Sequence, residues 1–149
     1  GNIIMNRSNE FRELIRNLER KLGLLNKEGG GCYYNVSLAQ CHALVEIGRA
    51  NSISIKSLSQ LLNLDISTMS RTVDNLIAKN YAIKMKSDKD KRIFIVKLTD
   101  EGKRLFNSVE NKMNDKFEKV YEKINIDDRD DILNSLRILI EVFNNNFIE

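Results

Sequence analysis

The sequence predicts a mainly α-helical protein that carries one small β-hairpin. Apolar residues recur at intervals of three and four along most of the chain, which is the helical period. Residues 82–98 differ, because two short runs of alternating apolar residues flank a charged turn there. With 149 residues, 42% of them apolar and 30% charged, residues 1–149 should form one domain with a core of its own.

Composition excludes several classes of protein. No apolar run approaches the eighteen or so residues of a membrane span, and no signal-peptide pattern appears, so we expect a cytoplasmic protein without membrane contact. Gly1 stands where a Met is expected, and we interpret it as a cloning remnant. Two cysteines are too few for a disulfide scaffold, and a single histidine leaves little material for an enzyme.

Two helices should open the chain. Residues 8–26 place apolar side chains on one face, and the glycines 29–31 should end this helix in a loop. Ser37 is a favourable N-cap for a second helix that runs to Gly48 or Arg49.

Two shorter helices should follow a very short strand at 52–54. The first, residues 55–62, should turn its leucines inward, namely Leu58, Leu61 and Leu62. The second, residues 66–79, should begin after Asp65 as its N-cap. The three-residue turn between them predicts a helix-turn-helix, a motif whose second helix enters the major groove of DNA.

The remaining elements predict a wing and two long helices. Strands at 82–86 and 93–98 should form the wing, and Thr99 should cap a helix that reaches Ile124. A last helix should cover 127–147. We expect the strands to bury Ile83, Met85, Phe94 and Val96 on alternate positions.

The helix at 66–79 has two distinct faces at about 100° per residue. The apolar residues Ile66, Met69, Val73, Leu76 and Ile77 share an inward arc, whereas Thr72 falls on the outward arc. Hydroxyls, amides and cations without an acid occupy that outward arc, and such side chains reach base edges and phosphates. The residues expected to contact DNA from this helix are Ser67, Thr68, Ser70, Arg71, Asn75 and Lys79.

Positive charge is concentrated around the wing. Residues 55–104 hold eleven Lys and Arg against six Asp and Glu, whereas the rest of the chain holds 13 against 15. This distribution favours a nucleic-acid surface in the middle of the chain. The wing residues expected at DNA are Lys86, Lys89, Asp90, Lys91 and Arg92, with the carboxylate of Asp90 orienting the arginine.

These segments together resemble the MarR family of transcriptional regulators. The resemblance lies in Asp65 through Leu76, in Asp90-Lys91-Arg92, and in the closing "LTDEG" at 98–102, and it extends over nearly the whole chain. It implies a winged helix-turn-helix lobe at about 37–100, flanked by dimerisation helices at about 8–27 and 104–148. It further implies a homodimeric repressor on a pseudo-palindromic operator, a minor-groove role for Arg92, and a small aromatic effector.

Dimerisation is also expected from the apolar residues alone. The first and last helices carry larger apolar faces than a small winged lobe can cover, and exposed apolar patches of that size mark interaction surfaces. The residues expected at the dimer interface are Phe11, Leu14, Leu18, Ile132, Leu136, Leu139, Ile140, Phe143 and Phe147.

Three alternatives stay open beside this interpretation. Cys32, Cys41 and His42 could serve a thiol- or metal-responsive regulator, although the spacing lacks a CxxC pair and Cys41 fits a small core residue with an unreactive thiol. A Cys32–His42 nucleophile pair lacks a partner acid and an oxyanion motif, so we expect neither an enzyme nor a cofactor. A winged-helix module that binds proteins is disfavoured by the cations on the outward arc.

Overall fold

A computed structural model of the protein describes residues 6–26 and 36–146. Those residues form six helices and three short strands, and the predicted mainly α class with a small β-wing is confirmed. The elements are α1 Arg7–Lys21, α2 Leu38–Ala50, β1 Ile53–Ser54, α3 Ile55–Leu61, α4 Ile66–Ala78, β2 Ala82–Lys86, β3 Phe94–Leu98, α5 Asp100–Glu122 and α6 Ile126–Asn146. Compact packing divides the chain between Val109 and Glu110, inside α5, so one domain over residues 1–149 stays a prediction.

Three predicted caps start their helices. Ser37 forms a capping box with Gln40, in which the serine Oγ accepts from the Gln40 amide at 3.1 Å. Asp65 accepts from the Thr68 amide at 2.6 Å. The Thr99 hydroxyl accepts from the Gly102 amide at 3.0 Å and donates to the Asn80 carbonyl at 2.7 Å, so it also ties α5 to the end of α4.

In the described part of the chain four helices end at a residue with positive φ, namely Gly23, Asn51, Asn63 and Asn80. At Gly23, Asn63 and Asn80 the chain also closes a pair of hydrogen bonds onto the last helical turn. After α3, for example, the Asn63 and Leu64 amides donate to the Gln60 and Ser59 carbonyls. Gly23, with φ of 78°, ends α1 at Lys21, so the prediction that this helix continues to residue 26 is wrong. The predicted glycine loop at 29–31 lies outside the described residues.

The sheet has the order β1-β3-β2 and is antiparallel throughout. Ala82 pairs with Leu98 and Lys84 pairs with Val96, which places Ile83 and Met85 on the opposite face from the buried Val96. The prediction that Ile83, Met85 and Phe94 are buried is therefore wrong, since all three are exposed. Val96 is fully buried as predicted.

The helices α2, α3 and α4 pack with the sheet as one lobe, whose core lies between them. Its fully buried large side chains include Leu44, Ile47, Leu58, Met69, Val73, Leu76 and Val96. Leu61 is exposed, so the prediction of three inward leucines on α3 holds fully only for Leu58. On α4 two predicted directions are wrong, because Thr72 is buried and Ile66 is exposed.

Two helical glycines permit close packing in this lobe. A Cβ on Gly102 would overlap the backbone carbonyl oxygen of Tyr81, at the junction of α4, β2 and α5. A Cβ on Gly48 would lie 2.6 Å from the ring of Phe106. The added Cβ would therefore meet backbone at Gly102, whereas at Gly48 it would meet the ring of a half-buried side chain.

No helix in the described part of the chain combines the length and hydropathy needed to cross a membrane.

Candidate nucleic-acid interface

The exposed arc of α4 carries the residues predicted to contact DNA. Ser67, Arg71 and Asn75 are exposed, whereas Thr68 and Ser70 are half-buried. The Arg71 Nη2 donates to the Thr68 hydroxyl at 3.2 Å, which links two of the predicted reading residues along one face. The helix therefore presents a preassembled polar surface whose cation lies near its middle.

The first turn of α4 is organised by Asp65. Its carboxylate accepts from the Thr68 amide and from the Ser67 hydroxyl, the latter at 2.8 Å. The backbone hydrogen bond from Thr68, followed by that from Ser67, lowers the pKa of Asp65 from 3.8 to about 2. The N-terminal end of α4 is thus anionic at neutral pH.

Lys79 closes the other end of α4 and is held by α2. Its Nζ donates to the Gln40 Oε1 at 2.8 Å, across 39 residues of sequence. Lys79 is half-buried at the C-cap position, and Gln40 belongs to the capping box of α2. This contact fixes the C-terminal end of the helix against the rest of the lobe.

The wing tip is a tight turn that displays Arg92. The Asp90 carboxylate accepts from the Arg92 Nε, Nη2 and backbone amide, each at 3.0 Å. This bonding lowers the pKa of Asp90 and raises that of Arg92, so both groups stay ionised. The arginine side chain is 89% exposed although its position is fixed, which suits a preoriented donor.

One face of the wing is turned toward α4. Lys84 lies on it, 3.8 Å from the Asp74 carboxylate and 5.2 Å from the centre of the Phe94 ring. Lys86 pairs with Phe94 in the register and lies on the same face, whereas Lys97 pairs with Ile83 on the opposite one. The sequence interpretation missed Lys84 because it assigned the strand to the wrong face.

The predicted dimer residues lie on α1 and α6. Among those in the described residues, Leu139 is half-buried and the others are exposed within one chain, whereas Phe147 lies outside that range. None of the residues of α1 is buried, and none of the described side chains of α6 is. These apolar faces are available for contact with a second molecule.

The described residues give little support to a thiol- or metal-responsive site. Cys41 is buried, as predicted for a core residue, but its sulfur is disulfide-bonded, so the expectation of a free thiol there is wrong. His42 is exposed, and Cys32 lies outside the described residues. Among residues 6–26 and 36–146 no group of three or more His, Cys, Asp or Glu side chains could hold a metal ion.

Comparison with known proteins gives matches that include the lobe formed by α2, α3, α4 and the sheet. The MarR family model matches residues 36–94, from the start of α2 to the wing. The HTH-type transcriptional regulator SarZ of Staphylococcus aureus is 27% identical over 106 residues, which cover 70% of this chain and 69% of SarZ.

Solved structures extend the likeness to most of the chain. A MarR transcriptional regulator from Methanosarcina mazei Go1 aligns with a TM-score of 0.73 at 26% identity, covering 89% of this chain and 95% of that one. Streptococcus pneumoniae FabT, solved in complex with DNA, aligns with a TM-score of 0.72 at 20% identity, covering 93% and 96% of the two chains. At that identity the second likeness establishes the fold alone.

Proposed function

We propose that this chain is a DNA-binding transcriptional regulator of the MarR family and that it inserts α4 into the major groove of an operator. The observation that carries this proposal is the exposed Arg71 and Asn75 on α4, beside a wing whose Lys86 faces the same helix. The residues proposed to contact DNA are Ser67, Thr68, Ser70, Arg71, Asn75, Lys79, Lys86, Lys89, Asp90, Lys91 and Arg92. FabT, a protein of similar fold, was solved in complex with DNA, which supports DNA as the partner of this chain.

The proposed active form is a homodimer. The exposed apolar faces of α1 and α6 would be costly to leave in water, which favours their burial between two copies. Two α4 helices related by a two-fold axis would read a pseudo-palindrome with half-sites about one helical turn apart. Such a regulator works in the cytoplasm by binding, with no catalytic step.

We also propose that the protein is a repressor released by a small aromatic effector. A cavity of about 210 Å³ lies between α2, β3 and α5, with Ile47, Leu98 and Phe106 in its lining and Lys103 beside them. A cavity of roughly 150 Å³ can hold a benzene ring. The lysine ammonium would favour a ligand that carries an acid group.

Salt dependence of DNA binding tests the proposal. We expect the logarithm of affinity for duplex DNA to fall with the logarithm of salt concentration with a slope of about −5 or steeper, because each phosphate contact releases a counterion. A sequence selected from random duplexes should bind at least about a thousandfold more tightly than the unselected pool. A flat salt response without sequence preference would instead favour a module that binds proteins.

The two faces of the wing provide matched variants. Lys86→Ala should reduce the slope by about two, one for each subunit of a dimer. Lys97→Ala removes an exposed lysine from the opposite face and should leave the slope unchanged. Equal effects of the two changes would show that the wing acts only through its total charge.

Sedimentation of the full chain tests the dimer separately. We expect a dimer at micromolar concentration, and Leu136→Asp should shift it toward monomer because a buried unpaired charge is costly. Asn134→Asp adds the same charge on the opposite side of α6, at an exposed position, and should shift it less. A monomer in the unmodified protein would contradict the proposed assembly.

A further inference from the structure

Ile66 is an exposed isoleucine at the first position of α4. Its side chain is 54% exposed, although the helical period assigns it to the same arc as the buried Met69 and Val73. Side chains on a helix lean toward its N-terminus, so a residue in the first turn projects past the end of the helix. The core covers α4 from Met69 onward and leaves Ile66 outside.

The polar groups around Ile66 are already bonded to one another. Asp65 holds the Ser67 hydroxyl and the Thr68 amide, and the Thr68 hydroxyl accepts from Arg71. The ionised carboxylate of Asp65 also repels phosphate from this end of the helix. Beside these polar groups, the first turn of α4 presents a branched apolar side chain to a partner.

The floor of the major groove contains one apolar group that such a side chain can contact. Thymine presents its 5-methyl group there, whereas the other base edges present hydrogen-bond donors and acceptors. Recognition helices bring their N-terminal residues to base edges. On the basis of the proposed function, we infer that Ile66 contacts the 5-methyl group of one thymine in each half-site and so determines specificity at that position.

Removing that methyl group from the DNA tests the contact directly. An operator selected from random duplexes with the full-length protein is synthesised with each thymine replaced in turn by deoxyuridine. We expect one position in each half-site to weaken binding of the wild-type protein by about fourfold, and the pair by about fifteenfold, from the burial of one methyl group at each. Ile66→Ala should bind the thymine and uridine forms equally.

Leu61→Ala provides the matched control. Leu61 is also 54% exposed but lies on α3, so this variant should keep the wild-type preference for thymine. If Ile66→Ala keeps the full preference, or if no position discriminates in the wild-type protein, Ile66 does not contact a thymine methyl group. The second outcome needs no variant and leaves operator binding itself intact, whereas a failure to select any sequence would overturn the proposed function as well.

Discussion

Replacing Arg92 with alanine should weaken operator binding by roughly thirtyfold or more, while the melting temperature stays unchanged. The Arg92 side chain is 89% exposed and its guanidinium donates to the Asp90 carboxylate, so its loss removes little from the folded chain. In the narrow minor groove, by contrast, an arginine meets an enhanced negative potential. Fluorescence anisotropy with a labelled operator and a thermal melt measure the two expectations on one preparation.

Two further variants separate the charge of Arg92 from its orientation. Arg92→Lys keeps the charge but lacks the planar fork, and should recover only part of the lost affinity. Asp90→Ala leaves the arginine unrestrained and should weaken binding less than its removal does. If Arg92→Ala binds the operator as tightly as the wild-type protein at physiological salt, the wing tip has no role in binding.

Gly102→Ala should lower the free energy of unfolding by about 3 kcal/mol. Alanine in a helix normally stabilises it by about 1 kcal/mol relative to glycine, so the sign here is reversed by contact with the Tyr81 carbonyl. That carbonyl also accepts from the Thr99 amide at 3.1 Å, so moving it would loosen the start of α5. A thermal melt should show a fall of about 10 °C.

Gly48→Ala is the corresponding control in α2. Its new methyl group meets the ring of Phe106, and a side chain can shift where backbone cannot. We expect this variant to lose less than half as much stability as Gly102→Ala. If both changes cost the same, side-chain crowding rather than the Tyr81 backbone limits this junction.

Helix starts were predictable because their signals are local. Ser37, Asp65 and Thr99 each cap the helix that the sequence assigned to them, since a cap depends on only three or four neighbouring residues. The end of α1 was not predicted, although its signal is also local. Apolar residues continue past Lys21, and Gly23 within that pattern was not taken as a stop.

The buried face of a strand was harder to predict, because it depends on the strand with which it pairs. In β2 the pattern of Ile83 and Met85 suggested an inward pair, but pairing with β3 sets Ala82 opposite Leu98 and reverses every side chain. Lys84 is tolerated on the inner side because its ammonium reaches Asp74 and the Phe94 ring. Neither partner is visible from the sequence of the strand alone.

The faces of α4 were predicted from its period, which assumes that the core extends along the whole helix. That assumption fails at Ile66, beyond the end of the core, and at Thr72, whose hydroxyl donates to the Thr68 carbonyl at 3.0 Å and can therefore be buried. The outward positions of Ser67, Arg71 and Asn75 follow from the same period and agree with the structure. Whether they contact DNA stays a prediction.

Asn63 and Asn80, which have positive φ at the ends of α3 and α4, limit which changes of sequence this fold can accept during evolution. Asn80 closes the turn between α4 and the wing, and Asn63 closes the turn between α3 and α4. Both turns are held by backbone hydrogen bonds, so an inserted or deleted residue would shift α4 against the wing in the first case and against α3 in the second. The length of chain between α4 and the wing should therefore stay constant among relatives. New binding preferences in descendants of this chain should arise by exchange of exposed side chains, and changes of loop length should accumulate elsewhere.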